Sequence, residues 1–252
     1  NTIEFNPHAH GTHTECVGHI TKELHTINAC LTQFLFVAEV ITVVPESSNG
    51  DFIISEKQLR YAIGNKKREA VVIRTLPNTR DKLNRQYAHT NPPYLTEAAA
   101  IYLREKGVKH LLVDTPSIDK EKDDGQLLAH KAFWNVGGAI RTDATITELV
   151  FVPNAVEDGK YILNILIAPF ENDASPSKPE INSEESLAAV AHYIMMHYVI
   201  TMSQTTQSVK SAERCIESGK RHGLEIQKWE ATTPNELLPA FISDAGFNEW
   251  DL

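Results

Sequence analysis

One run constrains the fold most. Leu31–Pro45, LTQFLFVAEVITVVP, is apolar and β-branched, and it reads as a buried strand or two. REAVVIRTLP, ended by Pro77, reads as a second buried strand, and VKHLLVDTPSID as a strand running straight into a polar turn. Helices fall between them. SEKQLRYAI has Ser55 in place as an N-cap. Thr96 caps EAAAIYLREKG, which has acid at its start, lysine at its end and Gly107 as a stop. DGQLLAHKAFWN reads as another helix, and TELVFVPN and KYILNILIAP as two further strands flanking a turn at Glu157–Gly159. Residues 78–93 are polar and form a long loop closing on NPPYLT. Strands interspersed with helices predict an α/β architecture around a mixed, mostly buried sheet.

Near residue 180 the character changes. FENDASPSKPEINSEES is rich in Ser, Pro, Asn and acid, the signature of a linker or chain end. The remainder of the chain reads as a self-contained strand, helix and strand, so a domain over residues 1–182 and a small α/β appendage over 183–252 are expected. All three methionines, Met195, Met196 and Met202, lie in this last part, so the natural start is expected to have been trimmed or the chain to be a fragment.

The formal charge of -9 argues against a nucleic-acid or anionic-membrane partner. No run of 18 apolar residues suggests a membrane span. Cys16, Cys30 and Cys215 form no CxxC pair or disulfide framework, so a reducing cytoplasm is the expected location.

The opening NPHAHGTHTECVGHI places His8, His10, His13, Glu15 and His19 within twelve residues, broken by Gly11 and Gly18. Spacings of 2, 3 and 6 fit neither a helix face nor strict strand alternation. Imidazoles and a carboxylate converging on a glycine-bearing turn can build a divalent transition-metal site. A solvated His-rich loop or a purification-tag scar is the alternative. Further along, VDTPSID supplies Asp114 and Asp119 at a strand end, where α/β folds place function. His130 sits in LLAHKAFWN and Glu148 leads ELVFV.

Together these pieces resemble the cyclase/kynurenine-formamidase family of metal-dependent hydrolases, whose signature is His-x-Gly-Thr-His-x-Asp-x-x-x-His. AHGTHTECVGH matches it at Gly11, Thr12, His13 and His19, with Glu15 where Asp is usual. VDTPSID, LLAHKAFW with ITELVFV, and SPSKP are similar to its later motifs, so the resemblance covers about residues 1–180. It implies the family's swivelling β/α/β-type domain, here without its N-terminal strand. It also implies a Zn or Mn ion held by His13, Glu15, His130 and Glu148, with His19 as general acid/base. Such an ion lowers the pKa of its water towards about 7 and so supplies a nucleophile for a small amide or ester. A formamide such as N-formylkynurenine, in tryptophan catabolism, is the implied substrate. Ala9 departs from the pattern, because the first signature position is normally a metal-binding His. His8 and His10 flank it, but alternate side chains of an extended segment point to opposite sides, so neither is expected to substitute without a backbone change. A catalytically weakened metal- or ligand-binding relative is therefore the alternative reading. The segment beyond residue 183 resembles the opening strand–helix–strand of a lipopolysaccharide-type glycosyltransferase. It also reads as an oligomerisation tail, and a homo-oligomer is expected.

Overall fold

The computed structural model describes Thr2 and residues 4–183. The expected appendage, apart from Ser183, lies outside the described residues. The main sheet has eight strands. Its centre is four parallel strands in the order β8 (Thr145–Glu148), β7 (His110–Val113), β5 (Ala70–Thr75) and β2 (Leu35–Val43). Beside β8 run β1 (His13–Glu15) and then β10 (Ala174–Pro176), both antiparallel. Beside β2 run β9 (Gly159–Asn164) and then β11 (Glu180–Asn182), also antiparallel.

The apolar runs form these strands because both faces of the sheet are covered. Ile41, Val43, Val71, Ile73, Leu111 and Val113 pack on one side. They meet α2 (Glu56–Ile63), α3 (Glu97–Glu105) and α4 (Leu128–Trp134) through Leu59, Ile63, Leu103, Phe133 and Trp134. Phe36, Ala38, Val40, Val72 and Leu112 point the other way and join Leu163 and Ile165. There they also meet the short α1 (Ile27–Cys30) and Leu31. Each such side chain, once fully buried, contributes about 1.5–3 kcal/mol relative to exposure. The expected caps are present. Ser55 forms a capping box with Gln58, and the Thr96 hydroxyl accepts from the Ala99 N–H.

Two expectations are corrected. The strand read as TELVFVPN is instead Thr145–Glu148, because Leu149 adopts a left-handed φ of 56° and turns the chain out of the sheet. The β-branched Val150 and Val152 then pack over the second core rather than pairing in a ladder. The polar stretch after Phe170, read as a linker, contains β10 and β11. Pairing at a sheet edge uses backbone groups and asks for no apolar pattern. A second, three-stranded sheet of β3 (Glu46–Ser48), β4 (Asp51–Ile54) and β6 (Tyr94–Leu95) flanks the first.

β10 and β11 belong to opposite edges of the sheet, yet only Ser177, Lys178 and Pro179 separate them. From Pro176 to Glu180 the chain reaches at most roughly 14 Å. Eight flat strands would span about 34 Å. The sheet must therefore curl until its edges approach, and the bridge between Ile167 and Ser177 lies where they do.

Candidate metal centre

The register of β1 against β8 builds the heart of the site. His13 lies opposite Glu148, at the C-terminal end of a parallel strand. Strand alternation puts His13 and Glu15 on one face. The hydroxyl of Thr12 donates to the carbonyl of Leu149 (2.6 Å) and ties the start of β1 to the end of β8. His130 arrives from the first turn of α4, whose N-terminus is capped from a distance by Asp119. The Asp119 carboxylate accepts from the N–H groups of Ala129 (2.7 Å) and His130 (3.1 Å) and meets His130 Nδ1 at 2.6 Å. After Glu15 a 3-10 turn, Val17–His19, folds His19 back over the site. Gly18 is required there, since a Cβ would stand 2.1 Å from the His25 carbonyl oxygen.

All four side chains expected to hold metal come together, and all are buried. His13 Nε2 is 3.4 Å from Glu148 Oε2, and His130 Nε2 is 3.0 Å from Glu15 Oε1 and 3.6 Å from Glu148 Oε1. Glu148 Oε1 also accepts from the Ile118 N–H (2.8 Å), which fixes its carboxylate. His19 Nδ1 lies 3.8 Å from Glu15 Oε2, on a ring about a quarter exposed. Asp114 stands apart from the cluster. It accepts from the Thr75 N–H and hydroxyl and from Lys82.

The backbone change that a substitute for position 9 requires is present. His8 does enter the cluster, with Nδ1 3.0 Å from Glu15 Oε2. The chain is not extended there. A turn closed by the Ala9 N–H on the Asn6 carbonyl (3.1 Å) swings His8 inward and leaves Ala9 exposed. Asp173 is a further member that sequence reasoning missed, because its surroundings read as linker. It meets His8 Nε2 at 2.8 Å and His19 Nδ1 at 3.5 Å. His10 points elsewhere, its Nδ1 accepting from the Asn6 N–H.

Three imidazoles share one pattern. His8 gives Nε2 to Asp173, His13 gives Nδ1 to the Gly11 carbonyl (3.0 Å), and His130 gives Nδ1 to Asp119. Each thus holds one ring nitrogen on an outer oxygen and aims the other at Glu15 or Glu148. This is the arrangement of metal-ligating histidines, whose outer hydrogen bond sets the tautomer. His8 Nδ1, His13 Nε2 and Glu15 Oε2 are buried atoms without a hydrogen-bond partner, although they face one another. Donor atoms of His8, His13 and Glu15 lie within 4.8 Å of one another, as do those of Glu15, His19 and His130, and of His8, His19 and Asp173. Inward lone pairs opposed to carboxylates need a cation between them, and the set fits a divalent ion.

Without one, protons fill the role. Burial disfavours a charged imidazole, but Asp173 and Glu15 outweigh it at His8 and raise its pKa to about 9. At His130 burial is likewise overcome, by Asp119 and Glu15, and the pKa rises to about 10. His13 is also raised, burial being outweighed by Glu148. Glu15 moves the other way. Burial would raise it, yet His130 and His8 hold it far below the ordinary carboxylate range. Hydrogen bonds from His19 and His8 lower Asp173.

A cavity of about 830 Å³ adjoins the cluster. His8, Ala9, Gly11 and Thr12 form its near wall, and the 82–88 segment of the long loop its far wall.

Comparison with known proteins bears on the fold. The family described as "Putative cyclase" matches residues 1–120. A solved potential metal-dependent hydrolase with cyclase activity superposes with a TM-score of 0.56 at 16% identity, covering 71% of this chain and 81% of its own. A predicted metal-dependent hydrolase from Bacillus stearothermophilus gives 0.53 at 17%, covering 71% and 79%. Isatin hydrolase A from Labrenzia aggregata, bound to benzyl benzoate, gives 0.54 at 16%, covering 73% and 76%. No curated protein matches the chain. The first 120 residues match the cyclase family, and the described chain has the fold of cyclase-type metal-dependent hydrolases.

Proposed function

We propose that the chain is a divalent-metal hydrolase that cleaves a small amide or ester. The observation that carries this is the set of buried, inward-aimed and unpartnered donor atoms at His8, His13 and Glu15. These three residues, completed by His130 and Glu148, would hold the ion. A mixed nitrogen and oxygen set suits Zn or Mn. When bound, the ion supplies Lewis acidity that polarises a carbonyl and makes water nucleophilic near neutral pH. His19 is the proton carrier in this reading. Asp173 and Glu15 face its Nδ1, and its Nε2, which bonds to no described residue, takes and returns the proton for the leaving group. Asp119 positions His130, and the fold excludes water from the buried side of the cluster.

The favoured substrate is an aryl formamide such as N-formylkynurenine. The cavity beside His8 has room for an aromatic amide, and Tyr87 and Phe151 line it. A cyclic amide is the second reading, favoured by the likeness of fold to isatin hydrolase A. Chelator-treated protein reloaded with Zn or Mn should take up the ion stoichiometrically and release formate from N-formylkynurenine. Ring opening of isatin without formate release would favour the cyclic amide. Metal uptake without any hydrolysis would make the chain a binding protein. Failure to take up metal would refute the reading.

A further inference from the structure

We propose that Arg85 is a specificity residue that binds a carboxylate on the far side of an aromatic substrate, away from the bond being cleaved. This rests on the cavity serving the hydrolytic site just proposed, and it names the class of substrate.

Sixteen residues, 78–93, with only the 3-10 turn Arg80–Leu83 inside them, make a long connection for a compact domain. The structure holds this loop at both ends. Asn78 donates to the Val152 carbonyl (2.9 Å) and to Asn154 Oδ1 (2.6 Å). At the other end Glu121 accepts from the N–H groups of His89 (2.5 Å) and Asn91 (3.1 Å). Between these anchors the segment walls the cavity that His8 shares with the metal cluster.

Of the residues lining that cavity, Lys82 and Arg85 carry a permanent positive charge and Asp114 a negative one. Lys82 and Asp114 are committed to each other. The ammonium has three donors, and they meet the Thr75 carbonyl (2.6 Å), the Thr75 hydroxyl (2.9 Å) and Asp114 Oδ2 (2.8 Å). Asp114 in turn accepts from the Thr75 N–H (2.8 Å) and hydroxyl (2.9 Å). This pair is a strut: Lys82 has no donor to spare for a ligand, and its ammonium balances the charge of Asp114. Arg85 differs. Its Nε meets Asp81 at 3.0 Å and its Nη2 bonds the same oxygen, while Nη1 makes no hydrogen bond among the described residues. Asp81 holds one edge of the guanidinium from outside the cavity lining and leaves its Nη1 edge free for a ligand. Its Cζ lies 5.7 Å from the centroid of the Tyr87 ring, and Phe151 lines the same cavity.

A wall with aromatic rings, one cation with free donors and no uncompensated anion selects an aromatic body carrying a carboxylate. The opposite end of such a molecule then lies toward His8 and the cluster. The loop anchors hold Arg85 in place before binding, which lowers the entropy cost of engaging it.

The test separates this inference from the hydrolytic reading by measuring binding and turnover apart. Benzoate and neutral benzamide are titrated into metal-loaded protein and its Arg85→Met and Arg85→Lys variants. Arg85→Met should lower the affinity ratio of benzoate to benzamide on the order of 10–100-fold, the worth of a charge-assisted hydrogen bond. Arg85→Lys, which keeps the charge and loses the planar fork, should fall between. In the parent protein benzoate binding should weaken with added salt and benzamide binding should not, so the proposal stays testable even if a variant misfolds. A ratio unchanged in Arg85→Met places the carboxylate at the metal cluster and overturns the proposal, as does salt-independent benzoate binding. The kcat/KM ratio of 4-formamidobenzoate, whose carboxylate lies opposite the formamide, to formanilide should drop in parallel. Absence of hydrolysis on both would refute the formamidase reading and leave the binding result standing.

Discussion

Asp119→Asn isolates what the buried carboxylate does for His130. In the parent, one carboxylate serves three groups: the Ala129 N–H at 2.7 Å, the His130 N–H at 3.1 Å and His130 Nδ1 at 2.6 Å. Asparagine keeps one oxygen and turns the other into a donor. If the oxygen stays on the Ala129 N–H, the amide donates to His130 Nδ1 and the His130 N–H loses its acceptor. The ring proton must then sit on Nε2, which faces Glu15 and would lose its lone pair for a metal. Loss of such an outer partner typically costs about 10–100-fold in metal affinity. If the amide instead turns its oxygen to His130, the Ala129 N–H loses its acceptor, so either orientation leaves a buried backbone N–H unpaired at a cost of about 1–3 kcal/mol in stability. Both orientations are measurable. Zinc affinity is read by competition with a chromophoric chelator at neutral pH, and stability by urea unfolding of metal-free protein. The expected result is a loss of about 1–3 kcal/mol in stability, joined by a rise in the zinc Kd of at least tenfold where the amide faces Nδ1. A variant that binds zinc within threefold of the parent and unfolds at the same urea concentration would refute the assignment of Asp119 as the residue that orients His130.

Three more outcomes are expected from the same geometry. His19→Ala should cut turnover by about 10²–10⁴-fold at unchanged metal content, and equal losses of both would make His19 a ligand. Gly18→Ala forces a Cβ to within 2.1 Å of the His25 carbonyl oxygen. It should cost about 1–3 kcal/mol in urea unfolding, with an unchanged midpoint showing that the 3-10 turn can yield. Metal-free protein should lose stability in alkali. With folded pKa values raised to about 9 at His8 and about 10 at His130, their contribution is complete below about pH 6.5 and is lost as pH rises through 9 and 10. Equal denaturation midpoints at pH 7 and pH 10 would exclude it.

The central strands and the helix caps are readable in the sequence because their causes are local. A β-branched run with both faces covered, or a Thr96 placed before an alanine-rich helix, states its structure within a dozen residues. His13, Glu15, His130 and Glu148 can be grouped only through the resemblance to a family, since more than a hundred residues separate the two pairs. His8 escapes a reading based on strand-like alternation, because a turn from Asn6 to Ala9 sets its direction instead. Asp173 is hidden because the composition around it reads as linker. Its role comes from the ladder that β10 forms with β1, and edge pairing leaves no hydrophobic signature.

The nine residues from Ala174 to Asn182 meet both edges of the sheet, and this has a consequence for the order in which the molecule can assemble. Among the described strands β1 precedes the others in the chain, and its two neighbours, β8 and β10, come more than 125 residues later. Until then its backbone groups are an open template for pairing with another chain. Contacts of such long separation slow folding, so the histidine cluster should be among the last parts of the molecule to form. A nick between Asn164 and Asp173 would separate β10 and β11 from the rest of the chain. It would release both sheet edges together and take from His8 and His19 the carboxylate that holds them.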